Sequence, residues 1–208
     1  MTRNVPKTRG EQKLLTRQRI VAAVGRGFRK SGFGGAGVDG LAKEAGVTSG
    51  AFYVHFDSKA AAFREAVRSG MADLKQGLRS CQQQNAADWW PAFVHFYLHV
   101  KRKCDLTESC ALQSLAPEVA RSDAGARQVF ESELREAAQI ILAGPESPDA
   151  PEDEAAALVA LSTLLGAVTL ARAVGDAKTS EQIANAAATR LAPSAAGAAH
   201  RKKSRARP

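Results

Sequence analysis

Apolar positions recur at three- and four-residue spacing along almost the whole chain. No stretch alternates with period two around β-branched residues, so the pattern predicts an all-α fold of about nine helices. Ile20, Val21, Val24 and Phe28 form one stripe over 16–31, closed by Gly32, and the GGAG at 34–37 reads as a loop. Gly25 and Gly27 each weaken that helix by about 1 kcal/mol relative to Ala, so packing must hold it. Val38, Leu41, Ala42 and Ala45 mark a short second helix that stops at Gly46. Thr48 is placed to cap a third helix over 49–56, and Asp57 or Ser58 a fourth from Lys59 to about residue 84. Its inner face carries Phe63, Val67, Met71, Leu74 and Leu78.

Beyond a polar connection at 82–88, a helix over 90–103 has Pro91 in its first turn. Further helices are expected at 110–122, interrupted at Pro117, and at 124–142. After the linker GPESPDAPED (144–153), two more follow at 154–174 and 180–191. Residues 155–171 carry no charge, but the run is Ala-rich, contains Ser162 and Thr163, and falls short of the roughly 20 apolar residues of a membrane span. It reads as a buried or interfacial helix. Residues 1–13 read as a flexible basic arm and 193–208 as a disordered basic tail. The basic start is not followed by an apolar stretch, so no secretory signal is expected.

The chain has 208 residues, 45% hydrophobic and 24% charged, with a net charge of +8, an ordinary soluble composition. The charge is unevenly placed. Residues 1–80 hold 15 basic and 6 acidic side chains, residues 81–199 hold 9 and 15, and HRKKSRARP at the end adds five basic ones. A basic N-terminal part on an acidic body points to a polyanion, nucleic acid foremost, although basic ends also serve solubility. Three cysteines make no disulfide framework and fit a reducing cytosol, so a cytoplasmic location is expected. Without paired carboxylates, a nucleophile elbow or a phosphate loop, neither an enzyme nor a cofactor is expected. A metal site from His95, His99 and Cys104 is conceivable, since i, i+4 histidines share a helix face, but surface or groove histidines are the commoner explanation, and no metal site is assigned.

The two short helices around Gly46-Val47 have the layout of a helix-turn-helix. The block Ile20…Phe28…Gly32-Phe33…Val38-Asp39…Leu41-Ala42…Ala45-Gly46-Val47…Gly50-Ala51-Phe52-Tyr53…His55-Phe56…Ser58-Lys59 resembles the TetR family of bacterial transcriptional regulators, above all in GVTSGAFYVHFDSK. The resemblance covers about residues 13–73, and ESCALQSLAPEVARSD (108–123) resembles the ligand domain of one subgroup. It implies a helix-turn-helix domain over 14–60 and a helical effector-binding and dimerisation domain over 61–192. A homodimer would then bind a near-palindromic double-stranded DNA operator.

The residues argue the same way. Gly50 and Ala51 leave the third helix slim enough to approach base edges. Ser49, Ala51 and Val54 are base-reading candidates, since Ala and Val suit the thymine methyl. Tyr53, His55 and Lys59 suit phosphate oxygens, and Arg17, Lys43 or the arm (Lys7, Arg9, Lys13) supplement them. The resemblance implies DNA contacts at Thr48, Ser49, Ala51, Tyr53, Val54, His55 and Lys59. Gly37 stands where the family usually has Ser or Thr, Ser49 where it often has a basic residue, and Gly25 and Gly27 where it has apolar or helix-favouring ones.

The middle helices offer Trp90, Phe93, Phe96, Tyr97, Cys110, Leu112, Leu115 and Phe130 as walls of an effector pocket, the effector being unidentified. Cys104, after Lys101-Arg102-Lys103, and Cys110 are redox-sensing candidates, since a positive neighbourhood favours the thiolate. Leu158, Leu161, Leu165, Val168, Ile183 and Leu191 are candidates for the dimer interface. The expected function is a repressor released from its operator by a small or reactive molecule. The alternative is a structural, nucleoid-associated DNA-binding protein without an effector.

Overall fold

The computed structural model describes residues 8–194, which fold into nine α-helices with no strand among them. They are α1 (Arg9–Gly35), α2 (Val38–Glu44), α3 (Ser49–His55), α4 (Lys59–Asn85), α5 (Trp89–His95), α6 (Ala111–Ala120), α7 (Ala124–Leu142), α8 (Glu154–Ala173) and α9 (Ala177–Leu191). Side-chain caps begin most of them. Thr48, Ser58, Asp123, Asp153 and Asp176 each accept a backbone N–H of the first turn, which satisfies a donor the helix itself leaves open.

α1 to α3 and the start of α4 form a head whose core is Ile20, Val24, Phe28, Leu41, Phe52 and Phe63, all essentially buried. Phe28 meets Phe63 edge-on at 5.0 Å, which ties α1 to α4. Further along, α4 enters the body: Lys75 pairs with Glu133 at 2.7 Å and with Glu136, and Gln82 donates to the Ile140 carbonyl at 2.8 Å, all on α7. Burial opposes the Lys75 charge, but the two carboxylates outweigh it and hold its pKa above the usual lysine value. The body core is Trp89, Trp90, Phe93, Leu98, Leu112, Leu115 and Leu164.

Several boundaries differ from the expectation. Residues 9–13 are not a flexible arm but the first turns of α1. Thr8 and Glu11 form a reciprocal capping box that starts the helix there. Residues 1–7, including Lys7, and 195–208, most of the expected tail, lie outside the described residues, whereas Ser194 is tethered to Asp149 through its backbone N–H at 2.9 Å. The helix expected over 90–103 starts at Trp89 and loosens into a π turn (Phe96–Val100) and a 3-10 turn (Lys101–Lys103). There Arg102 donates to the Leu98 carbonyl at 2.7 Å and to Ser180 and Glu181 on α9. α6 runs through Pro117 instead of breaking there. α8 is long and apolar enough to cross a membrane, yet its inner face (Ala157, Leu161, Leu164, Val168, Ala171) is buried in the body.

Gly32 does end the regular part of α1, with φ +69° and ψ 173°, a conformation left to glycine. The N–H of Phe33, next along, donates to the Glu118 carboxylate on α6 at 2.8 Å. Gly27 answers a different need: a Cβ there would run into Leu41 on α2. Gly27→Ala is expected to destabilise the fold by about 1–3 kcal/mol despite its better helix propensity, because overpacking outweighs it. Gly40→Ala, in open space on α2, should stabilise by up to about 1 kcal/mol; denaturant unfolding of both variants measures the contrast.

Candidate functional site

α3 is anchored by Phe52, fully buried, and by Phe56 just beyond it, which turn the opposite edge of the helix outward. Val54 is 70% and Tyr53 54% exposed, and Thr48 and Gly50 stand beside them in solvent. Ala51 and His55 are half-buried on its flanks. No acidic side chain lies on α3, and Lys43 is exposed on the preceding helix. This is a narrow, protruding rod of the size that a DNA major groove admits.

Several candidate side chains already have partners within the head. The Ser49 hydroxyl donates to Asp39, and the Thr48 hydroxyl accepts the Ala51 N–H at 3.1 Å. Arg17 pairs with Glu65 at 3.2 Å and lies over the Phe56 ring, while the Lys59 ammonium lies 4.6 Å from the centre of the Phe33 ring. Tyr53, Val54 and Lys43 are therefore the groups most open to a duplex.

Behind the head, where α1, α4 and the turns around residues 96–110 meet, the body holds a cavity of about 200 Å³. Of the residues named as pocket candidates, Phe93, Phe96, Tyr97 and Cys110 line it. The other four pocket candidates do not. Trp90 sits one turn away against α9, its indole N–H donating to the Leu191 carbonyl at 2.9 Å. Leu112 and Leu115 are fully buried core, and Phe130 packs half-buried on that core. Sequence reasoning missed the polar wall: Arg29 from α1, Asp73 from α4, Lys101, Glu108 and Ser109. Nothing local separates Arg29 from its neighbours Arg26 and Lys30; only the fold turns it inward.

The cysteines differ sharply. Cys110 is buried, and desolvation raises its thiol pKa against the opposing effect of the neighbouring Tyr97 hydroxyl. Cys104 is half-exposed, and Arg172 donates from Nη2 to its carbonyl at 2.7 Å and reaches its Sγ at 3.5 Å. His99 faces Glu181 at 3.2 Å and lies tilted beside His95, and among the described residues no three His, Cys, Asp or Glu side chains converge as metal ligands.

Two of the dimer candidates, Leu161 and Val168, need correction. Leu161 and Val168 are buried within the protomer, and Leu158, Leu165, Ile183 and Leu191 are half-buried against its core. The open face of α8 is Val159, Ser162, Thr169 and Leu170, with the half-buried Gly166 between them; Val159 is 63% and Leu170 59% exposed.

A slim exposed helix on a three-helix head, joined by one long helix to an all-α body with a cavity, defines a helix-turn-helix DNA-binding regulator. Residues 20–66 match the family model for bacterial regulatory proteins of the tetR family. No curated protein matches the sequence. Solved structures do, 62 chains among them. A TetR-family regulator from Agrobacterium tumefaciens is 17% identical with a TM-score of 0.67, over 86% of this chain and 99% of that one. NemR of E. coli in its reduced form is 20% identical with a TM-score of 0.68, over 85% and 94%. A TetR transcriptional regulator from Chloroflexus aurantiacus is 22% identical with a TM-score of 0.66, over 86% and 94%. At such identities the structures show a shared fold, and residues 20–66 carry the sequence of the tetR family: the head is of the TetR type, on a chain with the fold of TetR-family transcriptional regulators.

The exposure contrast makes a prediction. In the folded protein an alkylating reagent should modify Cys104 well before Cys110, with Cys110 reacting only on unfolding. Peptide mass mapping over time checks this, and equal rates would contradict the burial described.

Proposed function

We propose that the protein is a repressor that binds a near-palindromic operator as a homodimer and leaves it when a small molecule occupies the cavity. The observation that carries this reading is the α3 edge of Gly50, Tyr53 and Val54, projecting free of acidic side chains from a head that the body grips. Tyr53 and Lys43 suit phosphate oxygens, and Val54 and Ala51 suit thymine methyl groups. Ser49 joins them only by releasing Asp39.

The homodimer is supported by the open face of α8, whose apolar and small side chains repeat at helical spacing and allow close approach of a second copy. Two α3 helices would then meet successive major-groove turns, about 34–36 Å apart. A cytoplasmic location and domain limits near residues 14–60 and 61–192 belong to the same reading. The effector arm rests on the cavity, which lies against α1 of the head. A reactive effector would meet Cys104 rather than Cys110, since only Cys104 combines exposure with a guanidinium beside its sulfur. Cys104→Ser should then abolish oxidant-driven release while Cys110→Ser retains it, and release that survives Cys104→Ser removes the oxidant-sensing role.

Selection of bound duplexes from a random pool tests the main claim. The expected product is a two-fold site with half-sites a helical turn or a multiple apart. Binding without sequence preference would instead favour a structural, nucleoid-type role. Lys43→Ala should weaken binding to all sequences alike and reduce the slope of log affinity against log salt by about 1.

A further inference from the structure

Arg29 is an unusual wall for a cavity in the body, because it comes from α1 of the head. Its side chain is only 11% exposed, yet its partners are poor: Nη1 reaches the Thr107 carbonyl at 3.4 Å, and Nη2 stands 4.0 Å from Asp73, a carboxylate 79% exposed to water. Its Nε is buried without a partner. Gly70 on α4 makes room for it, since a Cβ there would lie 2.8 Å from Nη2. A buried guanidinium left this far from neutralised costs free energy that an incoming anion would recover.

A second group in the same cavity is also short of a partner. Tyr97 is 2% exposed, and its hydroxyl finds no oxygen or nitrogen partner, only the Cys110 thiol beside it. Burial holds that hydroxyl protonated, so it can donate. Phe93 packs on Tyr97 with ring centres 5.8 Å apart, and Phe96, 43% exposed, stands at the rim. The acids of the lining, Asp73 and Glu108, are both exposed at the solvent side. The interior is thus aromatic with a cation and an unused donor, and the volume of about 200 Å³ lies below the roughly 300–1,000 Å³ of clefts that take drug-sized ligands.

We propose that the cavity takes a compact aromatic carboxylate, with its ring among Phe93, Phe96 and Tyr97 and its oxygens on Arg29 and the Tyr97 hydroxyl. The inference rests on the effector reading and gives it a ligand class. It also gives that ligand a direct hold on the head, because Arg29 belongs to the helix that carries α2 and α3.

The test uses the full chain with benzoate as probe and benzamide as its uncharged isostere. Calorimetry should find one benzoate per chain, bound at least tenfold more tightly than benzamide. Arg29→Gln should erase that preference, and Tyr97→Phe should reduce it. Equal binding of the two probes by the unaltered chain, a preference that survives Arg29→Gln, or binding of neither probe each overturns the proposal; the first needs no variant to fold. Retention on selected duplex DNA separates the two readings. Benzoate that binds as described without releasing DNA contradicts the effector reading alone, whereas equal binding and equal release by both probes contradicts the carboxylate alone.

Discussion

The carboxylate of Glu118 closes a gap that the head cannot close for itself. Gly32 leaves α1 at positive φ, so the Phe33 N–H loses its helical acceptor, and Glu118 reaches across from α6 to supply one. Left unpaired, such a half-buried donor would cost about 1–3 kcal/mol. The same turn sets the Phe33 ring against Phe63 and under the Lys59 ammonium, at the foot of α4. Orientation of the head, and with it the direction in which α3 projects, therefore depends on a residue of the body.

Glu118 is not the sole tie. Arg64 on α4 pairs with Asp123, the cap of α7, at 2.9 Å, and Arg29 runs from α1 into the cavity wall. These contacts and the shared helix α4 make head and body one mechanical unit. A molecule in the cavity touches the same α1 whose far side packs on α2. Binding in the body would thereby have a short physical route to α3, through a single helix.

What the sequence made legible follows from where its signals are local. The helix-turn-helix was readable because Gly46, the Thr48 cap and the Phe52–Phe56 spacing lie within a dozen residues. Phe93, Phe96 and Tyr97 stood out only as aromatic residues of a middle helix, and they line the cavity, while Trp90, on the same helix, slips out of it because α9 takes its indole. α8 misled for a plain reason: it is apolar nearly all round, so periodicity could not separate the buried Leu161 and Val168 from the open Val159 and Leu170. The capping box of Thr8 and Glu11 was present in the sequence but hidden under the charge of its neighbours. Arg29 and Glu118 carry no local mark at all, since their roles arise only when helices distant in sequence meet.

The dependence of the head on the body can be measured by hydrogen exchange of the whole chain with Glu118→Ala beside the unaltered protein. Faster exchange spreading through α1, α2 and α3 while α7 to α9 keep their protection is the outcome predicted here. Faster exchange confined to residues around position 118, with the head as protected as before, would contradict it.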